Sequence, residues 1–451
     1  MPERKKLFGT NGVRGVVNQF LTPDFVLKMG KAIGTEMHGT ITVATDTRTS
    51  NTMFRNAVIA GIVSTGSNVV DMGILPTPAL QLKTRKPAYQ GGVMITASHN
   101  PPQFNGVKVI AQDGTEASGD EEARIEDSYY TENFMIADWN GIGNVTKYEG
   151  AADEYVDAIS SRVKTDVIRD RKLTVVLDCS NGASAFTSPQ LMEKLGVRAI
   201  TLNAQPQGSF PGHESEPTPE NLVDLMKTVK TIGADLGIAH DGDADRAVFV
   251  DENGRFIPGE LSLALIAREI IREKKGSTAV VPVSTPSVVE EAIREFGGKT
   301  VYTRVGSPVV ARKMIEIGGV IGGEENGGII NPELQYCRDG GMTAAKMLEI
   351  IAQDGKLSAL IDSLPRVYTV KLKVEAGRHP SSKVLDGIRE LSAGKKTDET
   401  DGIKIFLEDG WVLVRPSGTE PLIRIFAESK NQKTARSYAD EYMKSVQKLL
   451  R

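Results

Sequence analysis

Three carboxylates stand at alternate positions in the run Asp241-Gly-Asp-Ala-Asp-Arg246. On an extended backbone Asp241, Asp243 and Asp245 fall on one side. Three oxygen ligands without His or Cys select a hard divalent cation, Mg2+ before Zn2+. A calcium EF-hand is a rival, because Glu252 falls at the twelfth position counted from Asp241. It fails on Arg246, which sits where that loop needs glycine, and on Ala247-Val-Phe-Val250, which reads as a strand. A solvated acidic turn is the other alternative, but like charges this close repel without a cation.

A second candidate is a single hydroxyl. Val93-Met-Ile95 is a short apolar run of the kind that makes a buried strand. Thr96-Ala-Ser-His-Asn100 then turns polar, and Pro101-Pro102 fixes two φ angles and removes two N–H donors, so pairing stops there. Asn100, preceding a proline, is pushed out of the helical region. Ser98 is therefore held on a rigid loop at a strand end, beside His99 and Asn100. Asn105-Gly106 reads as a turn, with Lys108 returning on the next strand. A bare serine is a weak nucleophile, so Ser98 needs a base nearby or a phosphoryl group already loaded. Neither the Asp-His-Ser order of hydrolases nor Gly-x-Ser-x-Gly is present. His99 reads either as a structural histidine or, from its position, as a partner of Ser98.

Three further stretches carry charge on glycine-rich or stiffened backbone. Phe8-Gly-Thr-Asn-Gly-Val-Arg-Gly15 packs three glycines around Arg14, as a loop approaching a phosphate would, or as a plain N-terminal turn. Gly322-Gly-Glu-Glu-Asn-Gly-Gly328 offers Glu324 and Asn326, a carboxylate and an amide able to bridge neighbouring sugar hydroxyls; an ordinary turn is equally compatible. Arg415-Pro-Ser-Gly-Thr-Glu-Pro-Leu-Ile-Arg424 combines Arg415 and Arg424 with the hydroxyls of Ser417 and Thr419 and the backbone of Gly418. That inventory suits a phosphate dianion. A charged hairpin fits less well, because Pro416 and Pro421 stiffen both ends.

The elements that must position these groups repeat. Thr22 caps and Pro23 opens a helix over Asp24–Met37. Ile41–Asp46, a helix and Gly66–Asp71 then make one strand–helix–strand unit. Leu173–Asp178, a helix near Leu191–Leu195 and Gly196–Thr201 make a second. Thr278–Val283, a helix over Val288–Phe296 and Gly297–Tyr302 make a third. Each unit requires a right-handed crossover and a largely parallel sheet. After each comes a short strand ending in a glycine-rich or acidic loop: Thr96 to Asn100, Asp241 to Arg246, Gly322 to Gly328. Ligands of such sheets sit beyond strand carboxyl ends, so the three loops are expected to face a shared cleft. From Val367 the pattern changes to a strand, a helix over Ser382–Leu391, strands at Ile403–Leu407, Trp411–Val414 and Leu422–Ala427, and a helix over Gln432–Leu450. Glu408-Asp409-Gly410 joins two of those strands as a hairpin.

The expected fold class is α/β: three similar mixed-sheet α/β domains and a smaller α+β C-terminal domain, four domains around one cleft. Boundaries are expected at 1–150, 151–250, 251–365 and 366–451, a reasonable division of 451 residues. With 54 basic against 58 acidic side chains the net charge is −4, which argues against nucleic acid as the main partner. No apolar run approaches membrane-spanning length and no signal-type segment follows Met1, so no membrane partner is expected. Cys179 and Cys337 stand far apart, without a second thiol near either. That excludes a disulfide framework or zinc site and points to a reducing cytoplasm.

In order, Thr96-Ala-Ser-His-Asn-Pro, Asp241-Gly-Asp-Ala-Asp-Arg, Gly323-Glu-Glu-Asn-Gly-Gly and Arg415-Pro-Ser-Gly-Thr-Glu-Pro resemble the motifs of the α-D-phosphohexomutase family and span all four domains. The resemblance implies a phosphoserine at Ser98 and Mg2+ held by Asp241, Asp243 and Asp245 with the serine phosphate. It implies that Arg14 and Lys108, beside His99, stabilise charge and move protons. Arg246, Glu324 and Asn326 would face the sugar, while Arg415, Ser417, Gly418, Thr419 and Arg424 grip the phosphate that is not reacting. The implied reaction interconverts hexose 6-phosphate and hexose 1-phosphate through a hexose 1,6-bisphosphate, which also serves as activator. The implied partner is a small sugar phosphate, and the protein a monomer or homodimer. The opening Phe8-Gly-Thr-Asn-Gly-Val-Arg-Gly and Leu21-Thr-Pro-Asp-Phe-Val look most like the phosphoglucosamine mutase branch, with phosphomannomutase/phosphoglucomutase members sharing much of them. Two positions depart from the family's pattern, Asn326 where many members carry serine and Gly328 where histidine is frequent, and both lie in the loop that reads the sugar. A metal-dependent sugar phosphatase would share the aspartates, and a non-catalytic sugar-phosphate-binding protein would need only the Arg415 loop.

Overall fold

The computed structural model describes residues 6–9, 11–376, 381–417 and 422–450. It divides into two compact units, Met1–Ser262 with Asn326–Asp362, and Leu263–Glu325 with Ser363–Arg451.

One arrangement of three strands recurs. In the first sheet Thr40–Thr45 lies between Asn68–Ile74 and Gly91–Ile95, parallel to both. In the second, Thr174–Asp178 lies between Arg198–Leu202 and Leu236–His240, again parallel. In the third, Thr278–Pro282 lies between Lys299–Thr303 and Ile321–Gly323, parallel once more. The chain reaches the inner strand first, crosses over to one neighbour, and returns on the other side. The strand that ends in the Ser98, Asp241 or Glu324 loop is therefore always the third of its unit. The first two sheets gain antiparallel strands at that edge, Phe104–Ile110 and Val13–Val16 in one, Ala247–Asp251 and Phe256–Ile257 in the other, which makes them mixed.

The inner strands are buried along nearly their whole length, as strands covered on both faces must be. The helix Pro23–Met37 begins where its cap requires: Thr22 accepts from the Phe25 N–H at 3.2 Å and Pro23 occupies the first turn. Its Val26, Met29 and Ile33 join Ile41, Val43, Val93 and Val107 in the core of the first sheet.

The C-terminal sheet is wholly antiparallel, with Tyr368–Glu375 beside Leu422–Ser429, then Gly410–Pro416, Ile403–Leu407 and Thr397–Asp398. The helices Ser381–Leu391 and Gln432–Leu449 belong to the same domain, with Val384, Ile388, Ala439, Tyr442 and Val446 in its core.

Three local expectations need correction. Asn105 and Gly106 lie inside the strand Phe104–Ile110; the turn is earlier, where the Phe104 N–H bonds the Pro101 carbonyl at 3.0 Å. The Asn105 amide is used instead on Asn51 Oδ1 at 2.7 Å. Arg14 sits on the strand Val13–Val16, paired opposite Gly106, and not on a loop. The aspartate run is not extended either, because Ala244 takes a left-handed φ of 57° and the Ala244 N–H bonds the Asp241 carbonyl. Curling the run still brings the carboxylates together.

Candidate active site

Ser98 is fully buried and left-handed, φ 52°. A non-glycine residue is held there only where its surroundings over-determine it. Those surroundings are Asp46 and Arg48, at the end of the neighbouring strand. Arg48 Nη2 donates to the Ser98 carbonyl (2.8 Å) and the Asn100 carbonyl (2.5 Å), and Nη1 to the Pro101 (2.7 Å) and Phe104 (2.9 Å) carbonyls. Asp46 balances that buried charge, accepting from Arg48 Nε at 3.1 Å, from Thr96 Oγ1 at 2.6 Å and from Asn51 Nδ2 at 2.7 Å.

Ser98 Oγ donates to Asp241 Oδ2 at 2.9 Å. The loops of the first and second sheets thus meet at the two groups singled out from sequence. Ligand oxygens of Asp241, Asp243 and Asp245 lie within 4.8 Å of one another, and all three residues are buried. Lys108 donates to Asp243 Oδ2 at 2.6 Å and Asp245 Oδ2 at 3.2 Å. Burial alone would lower the Lys108 ammonium, but Asp243 and Asp245 outweigh it and raise it, so the lysine holds its proton. Thr77 Oγ1 donates to Asp243 Oδ2 at 2.6 Å, and Arg338 Nη2 to Asp245 Oδ2 at 2.6 Å.

The residues fit a dication. Asp243 Oδ1 and Asp245 Oδ1 are buried acceptors that take no hydrogen bond among the described residues. Burial, with the like charges of Asp245 and Asp243, pushes the Asp241 carboxyl up to about 8. A divalent charge among the three relieves both conditions.

Arg246 Nη2 donates to His99 Nδ1 at 2.9 Å, which makes that nitrogen an acceptor. The Arg246 charge, then burial, then Arg14 hold His99 well below the usual histidine range, so it is a neutral imidazole. Arg14 Nη1 donates to Asn100 Oδ1 at 2.9 Å and, longer, to the Ala97 carbonyl at 3.3 Å. Asn326 Oδ1 accepts from the Gly328 N–H at 3.1 Å, closing a small turn.

In the second unit, Glu324 follows the strand Ile321–Gly323 and is 8% exposed. Arg415 and Arg424 stand directly opposite on adjacent antiparallel strands, and Lys373 stands opposite Arg424 on the next. Three cations share one cross-strand row, a place that favours an anion. Arg415 Nη2 also pairs with Asp401 Oδ2 at 3.0 Å. The Ser417 N–H bonds the Leu422 carbonyl at 2.8 Å. Gly418 and Thr419 lie outside the described residues.

Sequence reasoning missed Asp46, Arg48, Thr77, Arg338 and Lys373. Asp339 offered a signal for Arg338, since an aspartate before Gly340-Gly is a helix cap, and it does cap Gly340–Asp354. Nothing local marks the others.

Residues 5–135, 153–254 and 258–368 match the phosphoglucomutase/phosphomannomutase alpha/beta/alpha domains I, II and III, and residues 370–445 match the C-terminal domain. The chain belongs to the phosphoglucomutase/phosphomannomutase family. It is 45% identical over 457 residues to the phosphoglucomutase/phosphomannomutase of Thermococcus kodakarensis, covering 99% of both chains. It is 42% identical over 447 residues to the probable phosphoglucosamine mutase of Methanopyrus kandleri, covering 98% of each. A crystal structure of a phosphoglucomutase/phosphomannomutase family protein from Burkholderia thailandensis aligns with a TM-score of 0.89 at 28% identity, over 98% of this chain and 97% of that one. Among the described residues no helix is long and apolar enough to cross a membrane.

Proposed function

We propose that this protein interconverts hexose 6-phosphate and hexose 1-phosphate, with Ser98 as the phosphoryl carrier and glucosamine 6-phosphate as the preferred sugar. The observation that carries the reading is the Ser98 hydroxyl, held by a strained backbone 2.9 Å from Asp241 within a buried aspartate triad. The choice of glucosamine rests on the opening motif and on the Methanopyrus relative; the Thermococcus relative's name supports glucose or mannose as the second reading.

Phosphoryl transfer asks the protein for position and charge balance more than for covalent chemistry. In the first half-reaction the bond from Ser98 Oγ to phosphorus breaks and a bond from a sugar hydroxyl to phosphorus forms. The hydroxyl proton ends on Ser98 Oγ, and the sugar becomes a 1,6-bisphosphate. After the sugar reorients, Ser98 takes back the other phosphoryl group. Asp241, Asp243 and Asp245 would hold Mg2+, which neutralises charge on the transferring group when bound. Lys108 supplies a fixed positive charge at the same point, and Arg14 steadies Asn100. Arg246 and neutral His99 form a donor–acceptor pair for the reacting phosphate or sugar; Glu324 and Asn326 would contact sugar hydroxyls. Arg415, Ser417, Gly418, Thr419 and Arg424 would hold the phosphate that is not reacting. Hexose 1,6-bisphosphate would be activator as well as intermediate, because it reloads Ser98. A cytoplasmic place, and a monomer or homodimer, belong to the same reading.

The test is incubation with glucosamine, glucose and mannose 1-phosphates, Mg2+ and trace bisphosphate. Formation of 6-phosphates, fastest with glucosamine, is expected. Release of inorganic phosphate instead would make the protein a phosphatase, and binding without turnover would make it a sugar-phosphate-binding protein.

A further inference from the structure

Two of the aspartates keep a single oxygen for a cation. Asp243 Oδ2 is taken by Thr77 Oγ1 and Lys108 Nζ, both at 2.6 Å. Asp245 Oδ2 is taken by Lys108 Nζ at 3.2 Å and Arg338 Nη2 at 2.6 Å. In each residue the other oxygen, Oδ1, is buried and accepts no hydrogen bond among the described residues. The division of hydrogen bonds is the same in both, two donors on one oxygen and none on the other, although Arg246 Nε stands 3.8 Å from Asp245 Oδ1.

We propose that Arg338, with Thr77 and Lys108, sets the metal selectivity of this site by confining Asp243 and Asp245 to one-oxygen ligation. Mg2+ demands a small octahedron and is satisfied by single carboxylate oxygens, whereas Ca2+ takes 6–8 oxygens and gains from bidentate carboxylates. A carboxylate pinned through Oδ2 cannot swing to offer both oxygens. The inference rests on the metal reading above and adds the residues that tune it.

Arg338 is a positioning residue, and the chain goes to some length to place it. Asp339 accepts from the Met342 N–H at 2.8 Å, from Gln335 Nε2 at 2.8 Å and from the Tyr155 hydroxyl, while Gln335 also donates to the Pro78 carbonyl at 2.9 Å. Gly340 lies against the metal loop so closely that a Cβ there would be 2.4 Å from the Arg246 carbonyl oxygen and 2.7 Å from that of Ala244. The Arg338 stem crosses Gly328, where a Cβ would lie 2.3 Å from Arg338 Cδ. The departure at Gly328 thus clears the path by which this guanidinium reaches Asp245.

Charge and geometry make separable predictions. Removing one positive charge strengthens Mg2+ and Ca2+ binding equally, since both ions carry the same charge. Freeing Asp245 favours Ca2+ alone. The experiment measures Mg2+ and Ca2+ dissociation constants by calorimetry for the parent protein, Arg338→Met and Thr77→Val, with circular dichroism to verify folding. Arg338→Met is expected to shift the Ca2+/Mg2+ affinity ratio toward Ca2+ on the order of tenfold, the usual scale for losing a residue that orients a ligand. Thr77→Val, which changes no charge, is expected to shift it in the same direction. An unchanged ratio in both variants overturns the proposal while leaving the metal reading standing. A parent protein that binds neither ion overturns both. If Arg338→Met does not fold, the Thr77→Val ratio decides alone.

Discussion

Arg48 Nη2 lies 2.8 Å from the carbonyl oxygen of Ser98, and the same guanidinium spans three more carbonyls of the serine loop. The candidate nucleophile is thus held from behind by a buried ion pair with Asp46. Five planar donors in a fixed fork can satisfy several carbonyls at once; a lysine ammonium cannot. Arg48→Met strands Asp46 without its countercharge, and the expected loss is about 3–5 kcal/mol of unfolding free energy, as for a buried pair with one partner removed. Arg48→Lys should recover little of it. Urea denaturation of both variants checks this, and a loss under about 1 kcal/mol, the scale of a surface pair, would show that the loop holds its shape unaided.

Ser98→Ala tests the chemistry directly. Alanine keeps the left-handed backbone at the same steric cost as serine, so folding should be preserved while turnover is abolished. The parent protein should yield a phosphopeptide spanning Thr96 to Asn100 by mass spectrometry. Substantial mutase activity in the alanine variant, with bisphosphate supplied, would rule Ser98 out as carrier.

Asp243→Asn addresses the metal. The asparagine amide must face either Lys108 and Thr77 or the vacant side at Oδ1, and both placements set donors where an acceptor is needed. Mg2+ affinity and turnover should fall together, by roughly tenfold or more on the usual scale of metal-site substitutions. Calorimetric titration with Mg2+ gives the answer, and an unchanged affinity would reduce the triad to an acidic turn.

These variants also show what the sequence made legible. Ser98 and the three aspartates could be found because each motif is continuous: apolar strand, polar loop, special residues at short spacing. The repeated strand–helix–strand units were readable for the same reason, since hydrophobic periodicity and helix caps are local. Arg48 and Arg338 act across long sequence separations, 50 residues to Ser98 and 93 to Asp245, and only the fold makes them neighbours. The Lys373–Arg424–Arg415 row depends on register: the alternation of Val370, Leu372 and Val374 tells which face Lys373 lies on, but not which residue of the neighbouring strand stands opposite it. The mistaken turn at Asn105-Gly106 has the complementary cause: a strong local turn signal was overridden by the side chain's bond to Asn51.

Lys404 gives a stability test away from the site. Burial pushes its ammonium down to about 8, against the opposing pull of Glu428, Asp398 and Glu290. It donates to the Val283 carbonyl at 2.9 Å and lies 3.9 Å from the Trp411 ring centroid. Below the folded value both states are protonated and the folded state bears the full cost of the buried charge. Between about 8 and the unfolded value near 10.4 the unfolded chain binds more protons, so stability rises with pH. Cys179 and Cys337, both raised by burial, contribute the opposite slope above the ordinary thiol range, as Tyr302 does above the tyrosine range, so the window closes near pH 9. Denaturation midpoints at about pH 8 and about pH 9 should differ in that sense, and Lys404→Met should lessen the difference. A pH dependence unchanged by Lys404→Met would contradict the buried ammonium.

Arg415 separates holding from chemistry. Its place opposite Arg424, with Lys373 beyond, gathers positive charge on one row of the sheet, where a phosphate would add to the countercharge Arg415 already has in Asp401. Inorganic phosphate should therefore raise the melting temperature of the parent protein, by linkage to the folded state, and raise that of Arg415→Ala less. The substitution also leaves Asp401 without its partner at 3.0 Å, so some intrinsic stability is lost even as repulsion is relieved. A phosphate that does not react carries the same charge in ground and transition states, so losing its grip should appear mainly in KM. A grip of that kind would also align the reacting hydroxyl, so part of the loss should reach kcat. For Arg415→Ala the expected decrease in kcat/KM is about 2–4 kcal/mol, the scale of truncating one partner of a desolvated charge pair. Lys373 is exposed, and Lys373→Ala should cost less. Mg2+ affinity should be untouched in both variants. Weakened Mg2+ binding with sugar-phosphate affinity intact would remove Arg415 from phosphate recognition and return the row of cations to an unexplained feature of the C-terminal sheet.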